Sequence, residues 1–402
     1  MIKSIGCLAL LTLTLSACDI DVNSEKLTGS GKMATEQRPV SEFDAIENSS
    51  FFDVVVMPGK APALEISGDD NFLPEIETVV ENKTLVIRNK RKMLNFSVSN
   101  HPGTVKITAV SLKRIMNAGS GDVEARQLHS DQMRIDINGS GDVSVGGTVG
   151  ELHISSDGSG DLDTQQLLAG QTSIDMQSSG EVRMDTVAKA LEATVSGSGD
   201  LQIDHLQNAT VKLNMQGSGN VELAGDITTL DVDSSGSGDL DVSGLRSKLA
   251  HVNMHGSGNV QLAGETDQLS LMCSGSGDLG ANQLRIASAD ISANGPSNVS
   301  LPDIYQSLKA EIAGSGDLDV GLHSANTAEL IAQGSGNMHL NGTANNLSAK
   351  LSGSGDLRAS DLLLNVASIK VTGSGEAVVN VKQAGSSRIV KIDRNGVVDQ
   401  TQ

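Results

Sequence analysis

The chain has 402 residues, a formal charge of −20, 44 Gly, no Trp, one Tyr and five Phe. So acidic a balance excludes nucleic-acid binding through the net field, and six aromatics in this length exclude the aromatic-anchored core of most globular enzymes. At 38% hydrophobic residues the chain is still too apolar for disorder. Every Phe (Phe43, Phe51, Phe52, Phe72, Phe96) precedes residue 97, and beyond it only Tyr305 remains. An almost wholly aliphatic interior must therefore organise the rest.

Residues 1–17 read as an export leader. Lys3 supplies a short positive region, Ile5 to Leu15 an apolar run, and Leu15-Ser16-Ala17-Cys18 places small residues before a cysteine. The apolar run is well short of the ~20 residues that span a bilayer. The Leu-Ser-Ala-Cys segment resembles the lipobox of bacterial lipoproteins, which implies cleavage before Cys18 and lipid attachment to it; an ordinary secretory signal is the alternative. Each buried acyl methylene would contribute ~0.8 kcal/mol to membrane anchoring. With Cys7 removed and Cys18 lipidated, Cys273 has no partner, so no disulfide is expected. Asp19 resembles an inner-membrane retention signal of enterobacterial lipoproteins and leaves the membrane open, the outer one being the expected location.

Residues 18–40 read as a tether. Residues 41–110, with charged clusters such as Asn89-Lys90-Arg91-Lys92, read as an N-terminal β cap. Its strand-like runs are Phe52 to Met57, Ala63 to Ser67, Thr84 to Arg88 and Thr104 to Ala109, divided by turn signals at Pro58-Gly59, Gly68-Asp69-Asp70 and His101-Pro102-Gly103. Such a cap would cover an open parallel edge, which otherwise invites aggregation.

From Gly119 to Glu376 the tetrapeptide Gly-Ser-Gly-Asp or a close variant recurs fourteen times, with gaps of 20 and 19 residues in strict alternation. The unit is thus 39 residues built of two similar halves. Ser178-Ser179-Gly180-Glu181 and Gly295-Pro296-Ser297-Asn298 are degenerate copies that keep the register. Around each turn apolar residues alternate with period two, as in Val211, Leu213 and Met215 before Gly217 and Val221 and Leu223 after it, which is the strand signature. Glycine is expected in the turns for positive φ and because stacked corners leave no space for Cβ atoms. Leu152, Leu191, Leu230, Leu269, Leu308 and Leu347 recur at one position of every second half. The alternate halves carry Thr172, Val211, Ala250, Ala289, Ala328 and Ala367 there, the pattern of interdigitating layers. Residues 111–390 therefore read as an all-β parallel β-solenoid, with rungs of 19–20 residues favoured over rungs of 39. Residues 391–402 read as a C-terminal tail, and the segment from Glu376 to Gln402 as able to close that end.

The entry segments Phe43-Asp44-Ala45-Ile46 and Phe52-Asp53-Val54-Val55-Val56, followed by the Gly-Ser-Gly-Asp turns, resemble the auto-transporter adhesin, head GIN domain family over roughly residues 40–385. The resemblance implies a right-handed parallel β-helix related in shape to pectin lyases and a role in cell adhesion. It departs from autotransporters in having no C-terminal membrane-barrel segment in this sequence, so the expected anchor is Cys18.

The fourth turn position stacks Asp122, Asp142, Asp161, Asp200, Asp239, Asp278, Asp317 and Asp356 with Asn and Glu between them. A calcium ladder is the functional alternative to a structural one, in which the side chains accept hydrogen bonds from turn amides. The structural role is favoured, because the nonapeptide period of calcium β-rolls is missing. Carboxylates and turn serines such as Ser120, Ser140 and Ser159 repeat evenly, whereas catalysis needs one unequal constellation. No enzyme activity, cofactor or metal is therefore expected. His251 and His255 are roughly 13 Å apart on one strand, too far to share a metal, and Cys273 falls at an inward position. The one irregular stretch, Gly295 to Tyr305 with Asp303, would be the place for a glycan site. The sequence supports a cell-envelope lipoprotein of structural or adhesive role, binding a surface glycan or protein ligand by weak multivalent contacts. A carbohydrate-binding or carbohydrate-active β-helix is the alternative.

Overall fold

The computed structural model describes residues 27–91, 96–97, 103–383 and 386–401; the leader, Cys18 and Asp19 lie outside the described residues. Apart from one 3-10 turn at Leu73–Glu75, the elements are strands. No helix among the described residues is long and apolar enough to cross a membrane.

Thirteen strands of 14 or 15 residues, from Val123–Ile137 to Leu357–Val371, each form one rung. Each is followed by a Gly-Ser-Gly loop or one of its two degenerate copies, and each but the last pairs in parallel with the next of the thirteen, as Val221 with Leu240 and Ser234 with Met254. The rung is therefore the 19–20-residue half-unit. Twelve rises of ~4.8 Å make this part roughly 60 Å long. Inward residues stack in columns, and the large-small alternation is a direct contact pattern: Leu230 lies on Ala250, Ala250 on Leu269, Leu269 on Ala289 and Ala289 on Leu308. All are buried. Thr172 breaks the apolar column, and its hydroxyl is buried with no hydrogen-bond partner.

The 19/20 alternation is taken up at the corners between the strand segments, at one corner between the first two rungs and at a second one as well in others, as between Val187 and Ala190. Ala125 pairs with Val145 and Leu128 with Gly147, so Arg126 and Gln127 of the longer rung face one residue, Gly146, of the shorter. Four of the six shorter rungs turn this corner on Gly147, Gly225, Gly264 and Gly342, whose φ values are +136°, +118°, +128° and +99°. Left-handed backbone there is cheap only for glycine.

The Gly-Ser-Gly loops are different. None of their glycines has positive φ, which overturns the conformational half of the expectation. Their requirement is space: a Cβ on Gly238 would stand well inside 3.0 Å of the Gly219 carbonyl, and the same holds for Gly139 over Gly119 and Gly277 over Gly258.

The N-terminal end continues the stack with shorter strands. Ala45–Ser49 and Asp53–Pro58 lie beneath the first repeats, with Thr84–Asn89 and Thr104–Ala109 beneath them, all parallel. Antiparallel strands Ile76–Glu81 and Ala63–Asp69 then close the edge. The segment read as a tether is in part structure: Met33–Arg38 pairs antiparallel with Ala63–Asp69. The Arg38 guanidinium secures it by donating to the Leu73 and Ile76 carbonyls at 2.7 Å. At the other end Ala377–Gln383 is parallel to the last full rung, and Ser386–Asp393 and Gly396–Thr401 follow as antiparallel strands. Residues 391–401 thus belong to a paired sheet rather than a free tail.

Replacing Gly238 by Ala should lower the urea midpoint by the equivalent of about 1–3 kcal/mol, as overpacking does. Thr172→Val should raise it by about 1 kcal/mol, since it removes a buried unpaired hydroxyl. Equal midpoints for either variant and the parent would refute the corresponding packing account.

Candidate functional site

The turn face carries the most regular chemistry. The backbone N–H of Asp142 donates to Asp122 Oδ1 at 2.8 Å, that of Asp161 to Asp142 Oδ1 at 2.9 Å, and that of Glu181 to Asp161 Oδ1 at 2.8 Å. From Asp200 the series resumes through Asn220, Asp239, Asn259, Asp278, Asn298, Asp317, Asn337 and Asp356, ending on the Glu376 N–H. Asn serves as well as Asp because only a side-chain oxygen is used, and alternating the two removes half of the charges that would repel at ladder spacing. The interruption falls at Glu181, whose carboxylate is gripped by Arg183.

The ladder begins one rung earlier than the repeat. Ser50-Phe51-Phe52-Asp53 occupies the turn position below Gly119, where Ser50 accepts the Ser120 N–H and Asp53 Oδ1 accepts the Asp122 N–H at 3.0 Å. Without glycines and outside the 19/20 spacing, this turn left no repeat signal. Burial raises the Asp53 pKa, and the neighbouring Asp122 charge adds to that, against the opposing effect of the Asp122 N–H bond.

The ladder spends one oxygen of each acid on the backbone. Among the described residues no group of three or more His, Cys, Asp or Glu is placed to hold a metal ion.

The remaining candidates are paired or buried. Cys273 is buried, with Sγ 3.8 Å from Met254 Sδ, and burial pushes its thiol up to about 12, helped by the Asp278 charge. It is no nucleophile. His255 bonds Ser274 Oγ at 2.6 Å. Turn serines bond one another, as Ser257 to Ser237 at 3.1 Å. In the basic cluster Lys90 donates to the Pro74 carbonyl at 2.6 Å and Arg91 to Glu75 at 2.9 Å, the bonds of a closed cap. At the corner, His205 meets Asp185 at 2.7 Å; hydrogen bonds from Thr186 and His205 lower the Asp185 pKa. In the irregular stretch Arg285 lies 4.4 Å over the Tyr305 ring while also pairing with Glu265, and Asp303 faces His323 at 3.7 Å. One ring face is thus already covered.

On the strand face leading into the turns, opposite charges meet across rungs, as Lys212 with Glu192 and Lys309 with Asp290 at 3.2 and 3.1 Å. Shallow recesses follow this face, one of them lined by Glu192, Lys212, Asp231, Asp233 and His251.

The family model described as "putative auto-transporter adhesin, head GIN domain" matches residues 42–204, 185–263, 248–321 and 303–391. No curated relative matches the chain. Among solved structures, a putative adhesin from Bacteroides fragilis is 16% identical, over 83% of this chain and 99% of that one, with a TM-score of 0.24. A putative adhesin from Parabacteroides merdae is 15% identical, over 88% and 98%, with a TM-score of 0.26. A putative lipid binding protein from Parabacteroides distasonis is 17% identical, over 86% and 100%, with a TM-score of 0.28.

Asp53→Asn keeps the acceptor for the Asp122 N–H and removes a partly buried charge. Because the folded pKa of Asp53 is raised, the stability this group contributes is full below its ordinary value and lost as pH rises through the folded one. The variant should therefore melt higher than the parent at about pH 7, with the difference vanishing at about pH 3. A difference independent of pH would refute the charge argument.

Proposed function

Because the chain belongs to the putative auto-transporter adhesin, head GIN domain family, we propose that it is a cell-envelope protein whose β-solenoid head serves a structural or adhesive role without catalysis. The observation that carries this reading is repetition: the same turn, ladder and strand face return in rung after rung. An enzyme concentrates unlike groups at one place. A solenoid instead offers many equivalent positions at ~4.8 Å intervals, the arrangement in which weak contacts add into avidity. The lipid on Cys18 is the anchor in this reading, and a surface glycan or surface protein is the ligand.

Two measurements test it. Residues 19–402, labelled and applied to intact cells and to a glycan array, should bind saturably, and binding should persist in chelator because the ladder oxygens are engaged by backbone N–H groups. No binding to either would remove the adhesive role, and loss of binding in chelator would turn the ladder into a calcium site. In a bacterial host, radiolabelled palmitate should enter the full-length chain and fail to enter its Cys18→Ser variant; equal labelling would place the lipid elsewhere.

A further inference from the structure

The two ends of the solenoid are closed unequally. The last full rung, Leu357–Val371, pairs with the following strand only from Leu357 to Leu364. Its second half is paired on the inner side, residues 366–371 with 346–351, and, among the described residues, has no strand partner on the outer side, although Ser386–Asp393 contacts this rung. Its inward Ala367 and Ile369 are only partly buried, whereas Leu347 and Ala349 above them are 2% and 1% exposed. Val366 is 56% exposed.

Two features of this edge specify what would cover it. The first is the size pattern: one column runs Ala289, Leu308, Ala328, Leu347, Ala367, and the next runs Ile291, Ala310, Leu330, Ala349, Ile369. Continuing the alternation of these last rungs places a large residue on Ala367 and a small one on Ile369, although lower in the second column Leu271 stacks directly on Ile291. The second is charge. Lys350 and Lys370 are adjacent on the outward face, both exposed and without an ion pair among the described residues, whereas Lys212 and Lys309 each meet an acid one rung away. An acid opposite Lys370 would supply the missing partner.

We propose that residues 365–371 form a strand-addition site for an extended segment of a partner protein, which pairs in parallel with this edge and carries the pattern Leu-x-Ala-acid-aliphatic. Main-chain hydrogen bonds would supply affinity, and the Ala367, Ile369 and Lys370 positions specificity. The pattern occurs within this chain as Leu308-Lys309-Ala310-Glu311-Ile312, where it already stacks on a small-large layer of the same kind, Ala289 and Ile291. A peptide of residues 305–313 is therefore a defined probe.

The test measures binding of that labelled peptide to residues 19–402 by fluorescence anisotropy. Saturable binding is expected below about 1 mM. Changing Glu311→Lys in the peptide should weaken it roughly fivefold, and Lys370→Glu in the protein should restore binding of the altered peptide, since opposed charges across strands attract and like charges repel. The peptide-side change leaves the protein untouched, so misfolding cannot mimic it. Absence of saturable binding, or affinities indifferent to both charge changes, would overturn the proposal. Self-association of the protein alone, abolished by Lys370→Glu, would overturn it in favour of a second copy as the occupant.

Discussion

Two backbones stacked one ladder spacing apart leave no volume between them for a side chain directed along the stacking axis. The Gly-Ser-Gly loops are where the chain meets this limit. A Cβ at either glycine would enter the backbone of the loop beneath it, so nearly every rung repeats the solution found by the one before. Ser178 and Ser297, which stand at these positions in the degenerate copies, are buried and donate to the Gly180 and Gly275 carbonyls. The exception shows the rule from the other side: at Ser50-Phe51-Phe52-Asp53 the aromatic turn lies at the start of the stack, where the chain has not yet settled into its period. Once the loops are stacked, the Asp and Asn side chains fall in line. Each accepts the N–H of the next, so the turn that glycine permits is held by a hydrogen bond its neighbour completes.

The same stacking governs the interior. Each inward position receives a slice of core about one ladder spacing thick, and the inward columns fill it in two ways. One column stacks large on large, as Leu201, Val221, Leu240 and Val260, while the column through Leu230, Ala250, Leu269 and Ala289 alternates large with small. Close packing is thereby reached with aliphatic residues alone. The 39-residue unit follows from it, because two slices are needed before the pattern repeats. The extra residue of alternate rungs is accommodated at the corners, in the first pair of rungs where Gly147 adopts positive φ.

These constraints explain what could be read in the sequence. The turn spacing, the period-two strands and the large-small alternation are imposed rung by rung, so they accumulate into a signal and mark the solenoid and its ladder directly. Features that occur once do not accumulate. Met33–Arg38 forms a strand with mostly exposed side chains, so no apolar alternation betrayed it. Asp53 heads the ladder in a turn without glycine. The glycines themselves carried two physical meanings, close approach in the Gly-Ser-Gly loops and positive φ at the opposite corner, which composition cannot separate and geometry does.

The placement of the aromatic residues follows from the same volume argument. Inside the stack each slice is filled by aliphatic side chains, and no Phe or Trp occurs there. At the N-terminal end the period is absent, antiparallel strands cross the edge, and the space to be filled is larger and irregular. There Phe51 packs edge-to-face on Phe52 and Phe72, with ring centroids 5.1 and 5.4 Å apart. The C-terminal end has no comparable aromatic plug: three short strands extend half of the last rung and, among the described residues, leave the other half without a strand partner. A stack paired across its whole width at one end and across half of it at the other has a direction, and the proposed strand addition would use the half-paired end.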